Sequence, residues 1–344
     1  MPACLLTPQR LTLRLAVAMA ALLAVMVWAM ATGSEPVSLA RALDQASSPQ
    51  SPGADYQILV HMRLPRVVVA AVVGAALAGA GVVCQVLLRN PLADPYVLGV
   101  SSGAGLGAVL AVVSGLTWSV WGGSATAVFA FAGALLSLGL VLRLGRSVGG
   151  LGVTGLVLAG VIVNAFLSAV ILAVVALAKG DQVYATLFWL MGNVGEEALP
   201  VVWVATGCVG ACVCALFLLS PRLNAVCFGD DQARAMGVDV DRVRGAAFAL
   251  CGLMTAVAVS LAGLVGFVGL VIPHAVRLVW GADCRQLLPM AAVVGAGFLV
   301  ICDTICRVVV APAQLPVGIV TALIGGPVFI GLLVVHGRRM GPLA

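Results

Sequence analysis

Arginines are the residues of this chain whose type and position could do chemistry, because other reactive side chains are scarce. The 344 residues include 18 basic side chains, 13 acidic side chains and three histidines. The single lysine, Lys179, is followed by Gly-Asp, so the chain has no G-x-x-x-x-G-K-[ST] phosphate loop. HExxH is absent as well, and no Ser, His and Asp set has a spacing that suggests catalysis. We therefore expect no enzyme activity, no ATPase site and no cofactor in this chain.

The ten cysteines lie mostly inside apolar runs. Cys208, Cys212 and Cys214 fall within one predicted helix, and Cys302 and Cys306 within another. A metal site would need polar groups that orient its ligands, and the sequence places none nearby. We interpret these cysteines as small packing residues and predict no metal site.

Asp303 is the one acidic residue that the sequence places inside an apolar helix, where an ion-coupled carrier keeps its coupling site. Arg307 follows four residues later, so a local ion pair is the favoured interpretation and a proton relay is the alternative. Without a coupling-ion site or an ATPase site, the energy for transport must come from a partner protein, or the chain forms a passive pore.

Membrane-spanning helices are the elements predicted to position these residues. The chain is 62% hydrophobic and 9% charged, with a mean hydropathy of +1.17, whereas soluble domains carry about a quarter charged residues. Residues 179–197 are predicted to be a polar break, and residues 32–62 an irregular polar loop. The apolar runs predict an all-α, polytopic protein with ten helices at about 15–30, 67–88, 97–113, 119–142, 151–177, 198–219, 245–264, 267–280, 290–305 and 317–335.

The first helix is either a retained span or a signal peptide, because Ala29-Met30-Ala31 has the small residues of a cleavage site. We favour a retained helix, since ten spans with cytoplasmic termini place 13 of the 18 basic residues on the cytoplasmic side. Three of the other five, Arg63, Arg66 and Arg307, lie directly at helix ends. Each half has five spans, so the halves have inverted topologies, a common transporter plan.

The longest charged stretch, residues 220–244, falls on the predicted cytoplasmic side. Within it, FGDDQARAMG at 228–237 predicts a short amphipathic helix with acidic residues at its start and a glycine at its end. This segment is either a solvated loop or a docking element for a cytosolic partner.

Several stretches, in order from residue 63 onward, resemble the FecCD-type permease family, the membrane subunits of importers for iron chelates, haem and cobalamin. They are RLPR at 63–66, RNPLADPYVLGVSSGAG at 89–105, LVLAGVIVNAF at 156–166, LFWLMGNVG at 187–195, FGDDQARAMGV at 228–238, GLVGFVGLVIPHAVRL at 263–278 and QLPVGIVTALIGGPVFI at 314–330. The resemblance implies a type II ABC importer permease, with residues 1–344 as one domain in the bacterial inner membrane. It implies a homodimer that works with two cytosolic ATPase subunits and one periplasmic binding protein, and no nucleic acid.

The resemblance also implies roles for single residues. Arginines that receive acidic residues of the binding protein are matched by Arg63, Arg66 and Arg307. The segment that docks into the ATPase is matched by Gly229, Asp230, Asp231, Ala233, Arg234 and Gly237. A cytoplasmic gate is matched by Asn90, Leu92 and Thr154, while Asn164 and Ser168 are either path-lining or packing residues.

Two positions depart from the family pattern. Val153 stands where the cobalamin permease has a hydroxyl residue, and Gln314 stands where many members have Glu, so any role of that charge is lost. The expected function is import of a ferric siderophore or haem, with cobalamin import as the alternative. A standalone secondary carrier is the alternative from another class.

Overall fold

The computed structural model describes residues 8–33, 35, 37–38, 41–42, 53–116, 118–120, 123–147, 152–195 and 197–340. In the last helix, the side chains of residues 332, 333 and 335–340 are outside this description. Arg338 and Arg339 are among the 13 basic residues predicted on the cytoplasmic side, and their side chains lie outside this description.

Thirteen α-helices follow one another along the described parts of the chain. They are α1 (Pro8–Ala31), α2 (Ala54–Gln57), α3 (Leu64–Leu87), α4 (Val100–Val113), α5 (Ala125–Ser147), α6 (Val153–Ala176), α7 (Gly180–Leu190), α8 (Leu199–Cys227), α9 (Asp230–Ala235), α10 (Val240–Ala262), α11 (Val268–Trp280), α12 (Cys284–Val308) and α13 (Val317–Met340). A π-helical stretch, Ile58–Arg63, joins α2 to α3, and a 3-10 turn, Pro95–Leu98, precedes α4.

The all-α, polytopic prediction is confirmed. Seven helices of the described chain are long and apolar enough to cross a membrane, and three shorter apolar helices bring the number to the predicted ten. The one sheet in the described residues is a two-stranded antiparallel pair, β1 (Ser119–Val120) with β2 (Gly123–Ser124). The two halves share a local feature at their short helices. A residue with positive φ stands just before each of them, Gly99 before α4 and Phe267 before α11.

The predicted polar break at 179–197 is wrong, because α7 occupies much of it. The Gln182 side chain accepts a hydrogen bond from the Lys179 N–H at 3.1 Å, which caps the helix start. The same side chain donates to the Val113 carbonyl at 3.0 Å and so ties α7 to the end of α4. Polar residues thus begin this helix, and apolar residues at 187–190 continue it.

The irregular loop predicted over 32–62 is also wrong at its end, where helical structure already begins at Ala54 and continues into α3. The sixth predicted span, 198–219, ends too early, because α8 continues through Pro221 to Cys227. With α10 beginning at Val240, the charged stretch outside the long helices shrinks to residues 228–239.

Helix α3 is the centre of the fold, and nearly all of its residues are buried. Its glycines let neighbouring backbones approach closely, as is typical of membrane helices. A Cβ atom on Gly74 would lie 2.2 Å from the Gly295 carbonyl of α12, and one on Gly81 would lie 1.9 Å from the Gly269 carbonyl of α11. Any side chain at either position would push these helices apart.

Helix α6 differs from α3 in that most of it is exposed. Only five of its residues are buried, and its large apolar side chains are exposed, with Phe166 at 65% and Leu172 at 70%. Gly160 holds it to the 3-10 turn, because a Cβ there would lie 2.0 Å from the Val97 carbonyl. Most of α6 therefore faces lipid or another chain.

Candidate functional site

The turn after α3 is held by its own hydrogen bonds. Arg89 has a left-handed backbone with φ of +48°, which is uncommon for a residue other than glycine. The Asn90 side chain accepts from the Leu92 N–H at 2.9 Å, and the Asn90 carbonyl accepts from the Ala93 N–H at 3.0 Å. These bonds form an Asx turn, so the segment is stiff and presents Leu92 outward with 45% of its surface exposed.

Asp94 and Tyr96 attach this turn to the second half of the chain. The Asp94 carboxyl accepts from the Tyr96 N–H at 2.8 Å. The Tyr96 hydroxyl donates to the Val265 carbonyl at 3.0 Å and accepts from the Val265 N–H at 3.1 Å. Burial raises the pKa of Asp94, although the Tyr96 N–H opposes the rise.

A cavity of about 510 Å³ opens between this turn and the start of α6. Asn90, Leu92 and Thr154 all line it, so the structure brings the three predicted gate residues together. Val153 lines it as well and adds an apolar wall. Asn164 and Ser168 lie farther along α6 and are not among the lining residues; Asn164 is half-buried and Ser168 is exposed.

The predicted amphipathic helix at 228–237 is present as α9, a helix of six residues at the surface of the bundle. Gly229 and Gly237 flank it with φ of +125° and +79°. The Gly237 N–H donates to the Arg234 carbonyl and the Val238 N–H to the Ala233 carbonyl, the pattern of a glycine-ended Schellman motif. Ala233 is fully buried and faces the bundle, so the opposite face is left for solvent or a partner.

The acidic pair at the start of α9 divides between the two faces. The Asp231 side chain is fully exposed, whereas the Asp230 side chain is 32% exposed. Asp230 accepts from Arg244 at 2.9 Å and from Arg89 at 2.5 Å. The pKa of Asp230 is lowered: burial acts to raise it, but the two guanidinium groups together outweigh that effect.

A second charged cluster forms at the other end of α3. Asp303, 1% exposed, accepts from the Arg66 Nε and Nη2 atoms at 3.0 Å, and lies 3.0 Å from the Arg307 Nε. The predicted i,i+4 pair of Asp303 with Arg307 is thus present, and Arg66 is a partner that the sequence did not indicate. Gln314 accepts from Arg66 Nη1 at 2.7 Å, so it supplies an acceptor although it lacks the charge of Glu.

Arg63 completes this cluster, and among the described residues its hydrogen bonds go to backbone carbonyls. It donates to the Met30 carbonyl at 2.8 Å and the Glu35 carbonyl at 2.5 Å. Gly33 makes room for it, because a Cβ there would lie 2.6 Å from its Nη2 atom. A cavity of about 210 Å³ is lined by Gly33, Glu35, Ile58, Met62, Arg63, Arg66, Arg307 and Gln314.

The three arginines predicted to meet a binding protein are therefore less exposed than their positions suggest. Arg63, Arg66 and Arg307 are 7%, 6% and 6% exposed. They sit behind the end of α1, whose Ala29 and Met30 carbonyls accept from Arg307 and Arg63.

Sequence reasoning missed two functional contacts. Arg244 ends the predicted cytoplasmic stretch 220–244, but it is 2% exposed and donates to Asp230. Arg89 donates to Val226 of α8 and to Asp230 of α9, so it joins both helices to the end of α3. The signal for Arg244 is that residues from Val240 onward form a helix, because Arg244 falls on the buried face of this helix, α10. Among the residues that the structure describes, no group of three or more His, Cys, Asp or Glu side chains is placed to hold a metal ion.

Comparison with known proteins assigns this arrangement to a family. The profile of the FecCD transport family matches residues 21–335, nearly the whole chain. The chain belongs to the FecCD transport family. A cobalamin import system permease protein of Halobacterium salinarum is 43% identical over 285 residues, which cover 80% of this chain and 73% of that protein. A hemin transport system permease protein of Yersinia pestis is 39% identical over 280 residues, which cover 81% and 83%.

A solved structure has the same fold as this FecCD chain. It is described as a metal-chelate type ABC transporter in an inward-facing conformation, and it is 30% identical, with a TM-score of 0.82. The match covers 96% of this chain and 100% of that one. This FecCD protein is thus a multi-pass permease of an ABC importer, a class whose permease chains have no ATPase site of their own and work with ATPase and substrate-binding partners.

Proposed function

We propose that this FecCD permease carries a bulky iron chelate, a ferric siderophore or haem, from the periplasm to the cytoplasm across a bacterial inner membrane. The hemin permease of Yersinia pestis and the metal-chelate type structural neighbour support an iron-containing cargo. Cobalamin is the second candidate, favoured by the 43% identity to the cobalamin permease of Halobacterium salinarum. Residues 1–344 act as one permease domain with both termini in the cytoplasm.

A separate ATPase supplies the energy, and ATP with Mg²⁺ binds there rather than in this chain. The observation that carries this step is the short surface helix α9 with its flanking glycines. Asp231 and Arg234 are exposed on it, and the neighbouring Phe228 and Met236 expose 71% and 57% of their surfaces. An apolar and charged knob of this kind fits a cleft of a partner protein. Contact with the ATPase is made within residues 220–244, on the side of Gly229, Asp231, Arg234 and Gly237, while Asp230 and Ala233 hold the segment to the bundle.

The periplasmic binding protein docks at the arginine cluster. Arg66 and Arg307 share one buried carboxylate, Asp303, and Arg63 lies beside them. The three guanidinium groups outnumber the carboxylates of Asp303 and Glu35, so the cavity carries excess positive charge. An acidic side chain of the binding protein complements that charge. Arg63 is the best placed of the three, because the hydrogen bonds that hold it go to backbone carbonyls rather than to Asp303.

Two copies of the chain form the path. The exposed face of α6 provides the wall, with Asn164 and Ser168 as its polar positions. At its cytoplasmic end, the cavity lined by Asn90, Leu92 and Thr154 is the gate. In a homodimer the exposed α6 faces of the two copies lie on either side of this path, which accounts for the apolar side chains that one chain leaves exposed.

Transport by proteoliposomes tests this function. The permease is reconstituted with its ATPase and binding protein, and ferrichrome, hemin and cyanocobalamin are offered in parallel. We expect ATP-dependent uptake of ferrichrome or hemin that stops when the ATPase is made hydrolysis-dead. Uptake of cyanocobalamin alone would select the second candidate. Uptake that follows a proton or sodium gradient without the ATPase would contradict the proposal and favour a secondary carrier.

A further inference from the structure

Arg89 joins three parts of the molecule at the end of α3. Its side chain donates to the Val226 carbonyl in the last turn of α8, from Nε at 3.3 Å and from Nη2 at 3.0 Å. Its Nη2 also donates to Asp230 at the start of α9 at 2.5 Å. Its backbone leads directly into the Asn90 turn. A displacement of α9 therefore acts on the residue from which this turn begins.

Asp230 is held from the other side by Arg244 of α10. The Arg244 Nη2 atom lies 2.9 Å from both carboxylate oxygens of Asp230. Arg244 is 2% exposed, whereas the Arg89 and Asp230 side chains are 42% and 32% exposed. The contact with Arg244 is the anchored one, and the contact with Arg89 is the one that solvent can reach and that can break and re-form.

The gate turn is stiff enough to pass on such a change. Asn90 ties Leu92 and Ala93 to itself by hydrogen bonds of 2.9 and 3.0 Å. The left-handed φ of Arg89 is unfavourable for a residue with a Cβ, and it persists while the side chain is held at Val226 and Asp230. Release of the clamp lets Arg89 change its backbone angle, and the turn that carries Leu92 then moves as a unit.

We propose that the Arg89–Asp230 pair is the link through which the docked ATPase opens and closes the gate. The link rests on the proposed function, since it assumes that α9 docks into the ATPase. It assigns Asp230 an intramolecular role, in contrast to Asp231, which is exposed to the partner. Arg89 is a positioning residue that touches neither substrate nor ATP. It acts by coupling α9 to the turn that carries Leu92, and each of these two elements has two positions.

The test variant is Arg89→Gln, which leaves the Asp230–Arg244 contact in place. In proteoliposomes with ATPase and binding protein, the uptake of ferrichrome, hemin or cyanocobalamin per ATP hydrolysed is measured. We expect this ratio to fall by about 5- to 150-fold, the usual size of a coupling between sites. Binding of the ATPase to the permease stays within about twofold of wild type, because α9 keeps its outer face. Arg89→Lys keeps the charge and restores part of the ratio.

Arg242→Gln is the matched control. Arg242 pairs with Asp239 at 3.0 Å on the same side of the molecule, but both residues belong to the start of one helix and join no separate elements. We expect an unchanged ratio. An equal loss in this variant would show a general effect of charge and overturn the link.

A double-mutant cycle of Arg89→Gln with Asp230→Asn adds a second criterion. If the two residues act through one contact, the double variant is no worse than the worse single variant. A wild-type ratio in Arg89→Gln, or loss of ATPase binding in it, would overturn the link while leaving the importer function intact. A wild-type protein that takes up none of the three probes with ATP would overturn the proposed function, and the link with it.

Discussion

Helix α3 carries an arginine cluster at each of its ends, and the two clusters share one design. In each, an aspartate lies between two arginines: Asp303 between Arg66 and Arg307, and Asp230 between Arg89 and Arg244. In each, one arginine belongs to α3 or directly follows it. The clusters differ in burial.

Asp303 and its partners are sealed, with side chains 1% and 7% exposed, whereas Asp230 and Arg89 expose 32% and 42%. A charge that is buried with its partners cannot leave them without a large cost in free energy. A contact that water reaches can exchange at little cost. The same residue types thus lock the structure at one end of α3 and make an exchangeable contact at the other.

Removing the sealed carboxylate has the largest expected effect. Asp303→Asn leaves Arg66 and Arg307 buried without a counter-charge, which typically costs about 3–5 kcal/mol. We expect a large fall in the thermal unfolding temperature in detergent and a low yield of folded protein.

Asp241→Asn is the control for that measurement, because its side chain is 59% exposed and its nearest cation lies 3.7 Å away. We expect its unfolding free energy to stay within about 0.5 kcal/mol of wild type. Equal effects of the two substitutions would break the distinction between the two clusters.

Removing the carboxylate of Asp230, which solvent can reach, has a smaller effect that depends on pH. Asp230→Asn should cost about 1–2 kcal/mol, because solvent screens part of the interaction. The pKa of Asp230 is lowered in the folded protein, so its stabilisation is present above its unfolded pKa of about 4. That stabilisation is lost as pH falls through the folded value.

Unfolding temperatures of wild type and Asp230→Asn, measured from pH 7 down to pH 3, check this expectation. The two curves should converge at the acid end. A difference that stays constant over the whole range would mean that the charge of Asp230 contributes nothing.

The smallest effect is expected for docking at Arg63, which lines the cavity beside the Asp303 cluster. Arg63→Gln removes a charge whose hydrogen bonds go to carbonyl groups, so we expect the fold to persist. Its affinity for the binding protein should fall by about 1 kcal/mol, roughly fivefold in Kd, and more at low salt. Lys179→Gln, at an exposed cation that the ten-span topology also places on the periplasmic side, serves as the control. Unchanged Kd in Arg63→Gln at low salt would remove Arg63 from the docking surface.

The ten apolar helices were predictable because their lengths and composition follow from the hydrocarbon thickness alone. The sequence indicated the residues of the gate cavity one by one, but not how they come to line one cavity. Asn90 and Leu92 lie in one turn, but Thr154 joins them because Gly160 lets α6 approach Val97. Helix α7 was missed because its first residues are polar, and its cap and its contact with Val113 depend on where α4 ends.

By itself the sequence determined the membrane class, the spans and the family, because these depend on apolar length and on local motifs. Only the tertiary structure decided which acidic side chain pairs with which arginine. Asp303 has Arg307 one turn away, but Arg66 reaches it from 237 residues away in sequence. Arg89 and Arg244 meet at Asp230 because α3, α9 and α10 converge there. Ion pairs between distant segments depend on how helices pack, and helix packing is a property of the whole chain.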